Sequence, residues 1–219
     1  MKFTIGYLYY DLMNLYGDIG NIKALTYHLK EQGIKPIIKR LSIDDDINFN
    51  ELDLIYIGSS TENNREIAFN HLKKYKKEIK NQIENNKPFL ITGNALTLFA
   101  KEYLDIFNIN YQKSNRNVSE ITTKYKNIDI YGFINNEDKL IYNNIENLFQ
   151  NDGIKYKNFY GTTLIGPILV RNPEFLKDFL EIIIKNKKKD FQLKKINIKL
   201  NEKAKKEYIE FKKTKVHIK

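Results

Sequence analysis

Between residues 3 and 92, short apolar runs alternate with longer stretches of helical periodicity, and this alternation restricts the fold more than any other feature. FTIGYLYY (3–10), PIIKRL (36–41), DLIYIG (53–58) and PFLIT (88–92) have the length and the Ile, Leu, Phe and Tyr content of buried strands. Between the first two, DIGNIKALTYHLKEQG (18–33) places Ile22, Leu25 and Leu29 on one face and ends on Gly33, a residue suited to closing a helix. A charged helix is expected from about Arg65 to Asn85. Repeated β-α-β order requires crossovers, and crossovers place helices on both faces of a parallel sheet. From 106 to 142 the pattern changes to short alternating strands such as VSEITTKY and IDIYGF, which implies an antiparallel extension. GTTLIGPILV (161–170) then precedes a helix opened by Asn172-Pro173, with Pro at a favourable first helical position.

Composition narrows the chemistry. At 219 residues the chain suits one compact α/β domain, expected over 1–190, followed by a basic helical tail over 191–219. Cys is absent, which rules out a disulfide or a cysteine nucleophile, and the three His residues (His28, His71, His217) are scattered, so neither a metal site nor a cofactor is expected. No apolar run reaches the roughly 18 to 20 residues of a membrane span, and MKFTIGYLYYDL does not read as a signal peptide, so a cytoplasmic protein is expected. The net charge of +10 sits entirely in residues 185–219, which hold 14 Lys and 4 acidic residues against 23 basic and 23 acidic in the first 184. Without interleaved Arg, this run reads as a solvated end helix rather than a nucleic-acid site. That helix is expected from about Glu202 to Lys213, with Ala204, Tyr208 and Phe211 spaced to seat it on the body.

In a parallel sheet, ligands gather beyond the carboxyl ends of the strands. Here those ends carry DLMNLYGDIGN, GSSTENN, TGN and IGPILVRNP, loops crowded with Gly, Ser, Thr and Asn that offer backbone N–H groups and short polar side chains. In FLITGNALTLFA (89–100) a strand breaks at Thr92-Gly93-Asn94 and turns directly into a helix, the local geometry on which α/β enzymes mount nucleophiles. Asp18 and Asn21 read as caps of the first helix.

Taken together, NLYGDIGNIKAL (14–25), DLIYIG with its polar loop, the elbow at 92–94, Ser114-Asn115-Arg116, Gly132-Phe133 and YKNFYGTTLIGPILVRNP (156–173) resemble the class I glutamine amidotransferases of the cobyric acid synthase type, and most closely the small amidotransferase subunit of lipid II isoglutaminyl synthases. The resemblance implies a flavodoxin-like, doubly wound, mainly parallel sheet with helices on both faces. Active members carry a cysteine at the elbow and a histidine in the late block. At those positions this chain has Thr92 or Gly93, depending on where a one-residue length difference is placed, and Ile165. Isoleucine has no proton to exchange, and a Thr hydroxyl without a base is a weak nucleophile.

The resemblance further implies a ligand pocket at Gly58, Ser59, Ser60, Thr92, Gly93, Asn94, Asn115 and Arg116, in which Arg116 would grip a small glutamine-like carboxylate and the Gly58-Ser59-Ser60 loop, standing where the family has a glycine-rich one, would retain backbone donors. It also implies a Mur-ligase-like partner subunit. The expected function is therefore that of a degenerate amidotransferase-like protein that binds or regulates a Mur-ligase-like or cobyric-acid-synthase-like amidation system. The alternatives are an enzyme of altered chemistry using Thr92, and a stand-alone binder of an amino-acid-like ligand.

Overall fold

A computed structural model describes residues 1–215, with side chains described as far as Phe211; His217 and the end of the expected tail lie outside them. The apolar runs form β1 (Lys2–Leu8), β2 (Lys35–Leu41), β3 (Leu54–Ile57) and β4 (Phe89–Thr92), joined late in the chain by β7 (Ile154–Tyr156) and β8 (Phe159–Thr162). Their order across the sheet is β2-β1-β3-β4-β8-β7. All neighbours are parallel except the β7–β8 pair at the edge.

Alternation within the strands divides the core in two. Phe3, Ile5, Leu54 and Tyr56 face one cluster and Ile55, Ile57, Phe89 and Ile91 the other. The first cluster is covered by α1 (Ile19–Glu31) and α5 (Pro173–Lys187), which follows the short α4 (Ile168–Arg171). Leu25 and Leu29 of α1 are fully buried there, a burial worth about 1.5–3 kcal/mol for each side chain. The second cluster is covered by α2 (Glu62–Leu72) and α3 (Lys76–Glu84). Where one helix from about Arg65 was expected, Thr61 caps α2 three residues earlier by accepting from Asn64 N–H, and a 3-10 turn at Lys73–Tyr75 separates α2 from α3. That break lets the Tyr75 hydroxyl accept from the N–H of Ile47, which follows the acidic run Asp44-Asp45-Asp46.

The antiparallel extension is not a set of short strands. It is one long hairpin, β5 (Ile109–Tyr125) and β6 (Ile128–Tyr142), forming a sheet of its own. Its open end reaches the second cluster through Ile109, and its turn end reaches the first through Tyr125 and Ile130. The hairpin thus links both core clusters and meets the end of β8 through a bridge from Phe133 to Ile165.

Beyond α5, residues 191–196 run back over the body. Phe191, Leu193 and Ile196 lean on the first cluster, and Gln32 exchanges hydrogen bonds with both backbone groups of Lys194. The basic helix α6 spans Lys199–Lys215. Tyr208 seats it against Tyr131, as its spacing implied, but Ala204 and Phe211 are exposed. A further anchor is Lys205, whose ammonium crosses the Tyr131 ring to Glu174 and the Asp129 carbonyl, and Asn201 donates to the Val170 carbonyl. A lysine stem can cover apolar surface while its head finds a carboxylate, which apolar spacing alone does not reveal. No helix among the described residues is long and apolar enough to cross a membrane.

Candidate functional site

The carboxyl ends of β1, β3, β4 and β8 converge as the loop composition implied, and a carboxylate stands at their centre. Asp18 is fully buried. Its Oδ2 accepts from Ser59 N–H at 2.5 Å and from the Thr92 hydroxyl at 3.2 Å, joining three strand ends. Gly58 makes room for this approach, because a Cβ there would lie 2.6 Å from the Met13 carbonyl and 2.8 Å from Asp18 Oδ2. Around it, Tyr56 donates to the Asp18 carbonyl, the Asn21 amide donates to the Tyr56 hydroxyl, and Asn21 Oδ1 accepts from Leu169 N–H. Burial pushes the Asp18 carboxyl up to about 7, against the opposing pull of hydrogen bonds from Ser59, Thr92 and Gly166. Neither Asp18 nor Asn21 caps α1 with its side chain as the sequence implied; Asn14 accepts from Ile19 N–H instead.

The elbow has the expected strand exit but a different helix. Gly93–Phe99 forms a 3-10 helix in which all seven residues are buried, since NALTLF is apolar on more than one side and lies beneath the hairpin. Gly93 takes φ +64°, a left-handed conformation that a glycine adopts without steric cost. The direction of a side chain at this residue is the informative part. A Cβ built on Gly93 would sit 2.5 Å from Ser59 Oγ, 2.6 Å from Ser59 Cβ and 2.8 Å from Ile165 Cγ2. The turn therefore aims position 93 at position 165, the relation a nucleophile and its base would need, and both Ser59 and Ile165 occupy the space between. Thr92 points the other way, toward Tyr56 and Asp18.

The polar loop after β3 keeps its backbone donors occupied. Ser59 N–H is taken by Asp18, and Ser60 N–H by Asn94 Oδ1 at 2.9 Å, with Asn94 Nδ2 returning a bond to the Ser60 carbonyl at 2.8 Å. The backbone donors of Ser59 and Ser60 are thus spent within the protein. Thr92 is 0%, Ser59 1%, Ile165 1%, Asn94 4% and Ser60 5% exposed, so the place where these loops meet is filled by side chains.

Asn115 and Arg116 do not join this cluster. Ser114-Asn115-Arg116 forms the bulge in β5 between Lys113 and Asn117. Arg116 is 41% exposed, and its guanidinium is engaged by Glu62 at 2.9 Å, Asn135 at 3.0 Å and Glu137 at 3.2 Å. The two remaining histidines lie within helices, His28 in α1 and His71 in α2. His28 is buried in α1 against Tyr27, and His71 faces the Tyr9 hydroxyl at 3.0 Å. Burial lowers the pKa of both.

Comparison with known proteins agrees with this architecture. Residues 4–173 match the model of the CobB/CobQ-like glutamine amidotransferase domain. The subunit GatD of the glutamine-hydrolyzing lipid II isoglutaminyl synthase of Staphylococcus aureus (strain N315) is 30% identical over 223 positions, covering 90% of each chain. The same subunit from Streptococcus pneumoniae (strain ATCC BAA-255 / R6) is 27% identical over 240 positions, covering 96% of this chain and 92% of the relative. Among solved structures, a glutamine amidotransferase from Thermotoga maritima superposes with a TM-score of 0.57 at 12% identity, over 93% of this chain and 92% of that one. A second glutamine amidotransferase gives 0.56 at 14%, over 82% and 98%. These last two likenesses carry the fold alone.

Proposed function

The chain belongs to the family of CobB/CobQ-like glutamine amidotransferase domains, and from that premise we propose that it is a non-catalytic member that works by binding, as a structural or regulatory partner of a Mur-ligase-like subunit in cell-wall amidation. The observation that carries this reading is the closure between Gly93 and Ile165. The turn that would present a nucleophile carries no side chain, and its line toward position 165 is filled by Ser59 and by an aliphatic group that cannot accept a proton. Losing one member of a nucleophile–base unit costs about 10⁴-fold or more in rate, and here neither is present. The similarity to the GatD subunits supports the choice of a ligase-type partner, because it runs along nearly the whole of each chain.

One observation favours the rival reading of altered chemistry, since the Thr92 hydroxyl has a carboxylate within 3.2 Å at Asp18. Both groups are fully buried, with Thr92 donating into a hydrogen-bond network that ties strand ends together. A glutaminase assay separates the two readings. Purified protein should release ammonia from glutamine at the background rate, and Thr92→Ala should leave that rate unchanged. Turnover by the native chain that Thr92→Ala or Asp18→Asn abolishes would overturn the non-catalytic reading.

A further inference from the structure

The start of α6 and one side of α1 leave a groove between them. Gly20, Lys23, Ala24 and Tyr27 recur at helical spacing along α1, and the opposite wall is made by Val170 and residues 197–201. The volume is about 510 Å³, within the roughly 300–1,000 Å³ of small-molecule sites. From Gly20 to His28 the groove follows α1 for about 12 Å. Both walls are held in place. The Asn201 amide donates to the Val170 carbonyl, and the missing side chain of Gly20 lets α1 approach Pro167, where a Cβ would lie 2.6 Å from Pro167 Cβ.

The lining is apolar and basic, and solvent reaches both kinds of surface. Tyr27 is 56% and Leu200 80% exposed, and Ala24 and Val170, also in the lining, are half-buried. Single exposed apolar side chains are ordinary, whereas several gathered in one concavity mark a binding surface. Lys23 and Lys199 are exposed in the same lining, and neither forms an ion pair among the described residues. No Asp or Glu among the described residues lines the groove. His28 adds no charge at pH 7, because it is buried beside the Tyr27 ring and burial lowers its pKa. Other lysines are compensated, Lys126 by Asp178, Lys157 by Glu84 and Lys185 by Glu181. An apolar track beside two uncompensated ammonium groups is complementary to a molecule with an apolar body and a negative end.

We propose that this groove binds a single-chain amphipathic anion, an aliphatic chain ending in a carboxylate or a phosphate. The chain lies against Ala24, Tyr27, Val170 and Leu200, and the head meets Lys23 and Lys199. A neutral amphiphile leaves the lysines without a counter-charge, and a small anion leaves the apolar lining in water, so each half of the ligand has its own reason to be there. Gly93, Ser59 and Ile165 do not line the groove, and its failure would leave the reading of the elbow untouched.

Calorimetry and amide NMR on the full chain test this below micellar concentrations, with decanoate and decyl phosphate as probes and decyl glucoside, decyltrimethylammonium and acetate as controls. One or both anions should bind at millimolar affinity or better and shift the Ala24 and Tyr27 amides, and the tighter of the two identifies the head group. Octanoate should bind about tenfold more weakly than decanoate, because two fewer CH₂ groups are buried. Leu200→Gln should weaken decanoate about fivefold, and Lys23→Gln combined with Lys199→Gln should do so about fivefold as well. Lys206→Gln, outside the groove, should change nothing. The proposal is overturned if neither anion binds, if the glucoside, the cation or acetate binds as tightly as the anions, or if the groove variants bind like the native chain. Binding to anionic phospholipid vesicles without binding of the dissolved amphiphiles would overturn it in favour of a membrane surface.

Discussion

Restoring a thiol at the elbow should cost stability by an amount that the geometry around Gly93 fixes. Replacing Gly93 with Cys forces a non-glycine residue into φ +64°, at about 1–2 kcal/mol. The new Cβ falls within 3.0 Å of Ser59 Oγ, Ser59 Cβ and Ile165 Cγ2, and overpacking of this kind costs about 1–3 kcal/mol more. Gly93→Cys should therefore lose about 2–5 kcal/mol in urea titration, a large part of the stability of an ordinary domain. Ser59→Gly removes the two nearest of the three contacts. In the double-mutant cycle the Cys and Gly substitutions should be favourably coupled by about 1–3 kcal/mol, because only the crowded single variant bears the full clash. If Gly93→Cys costs less than about 1 kcal/mol, or if the coupling is within the roughly 0.5 kcal/mol scatter of independent sites, then position 93 does not point at Ser59 and Ile165. The argument for a closed elbow would fall with it.

Three further outcomes follow from the same structure. The folded protein holds the Asp18 proton up to about pH 7 whereas the ordinary carboxyl value is 3.8; the stability this contributes is fully present below 3.8 and lost as pH rises through 7. From pH 5 to pH 8 the native chain should lose about 2.5 kcal/mol relative to Asp18→Asn, and parallel urea curves over that window would refute the assignment. Arg116 already holds Glu62 and Glu137, so glutamate and glutamine should show no Arg116-dependent binding in calorimetry, and a millimolar site lost in Arg116→Ala would revive it as a carboxylate clamp. Truncation after Asp190 strips Phe191, Leu193 and Ile196 from the core and should cost about 2–4 kcal/mol, whereas truncation after Ile198 should cost less, and equal losses would show that residues 191–196 are not what holds the end of the chain.

The parallel sheet was legible because a strand buried on both faces has only one composition available to it, and PFLIT or DLIYIG contains little else. The long hairpin was underestimated because its strands carry many exposed polar residues, so the alternation looks interrupted when Lys113 to Arg116 bulge out of register. Local rules misread Asp18 for a related reason. A short acid before a helix usually caps it, yet its partners here are Ser59 and Thr92, 41 and 74 residues away. Asn94 likewise reads as a turn residue and instead clamps Ser60. Arg116 stood out by resemblance, but nothing in its neighbourhood in sequence reveals that Glu62 approaches it from α2.

A cavity on the hairpin's inner face left a signal that period-2 reading can recover. Ile134 and Leu140 keep the register of an inward-facing row, and the two positions between them in that row are Asn136 and Asp138. A strand that turns polar at inward positions must satisfy those groups with protein partners or with water. Asp138 does the first in part, through Arg65 and Thr97, and Asn136 stands in the wall of the cavity. In the closed elbow, by contrast, each hydrogen-bonding group of the Ser60–Asn94 clamp is matched to another, and the exception at the centre is Asp18 Oδ1. Oδ1 of Asp18 and Oδ1 of Asp138 are thus both sealed without a partner, and the two carboxyls are held differently: Asp18 by a raised pKa that lets it stay neutral, Asp138 by the Arg65 guanidinium. Protonation can quiet the first and an ion pair the second, so the two respond to different perturbations: pH at Asp18, and loss of the guanidinium in Arg65→Gln at Asp138.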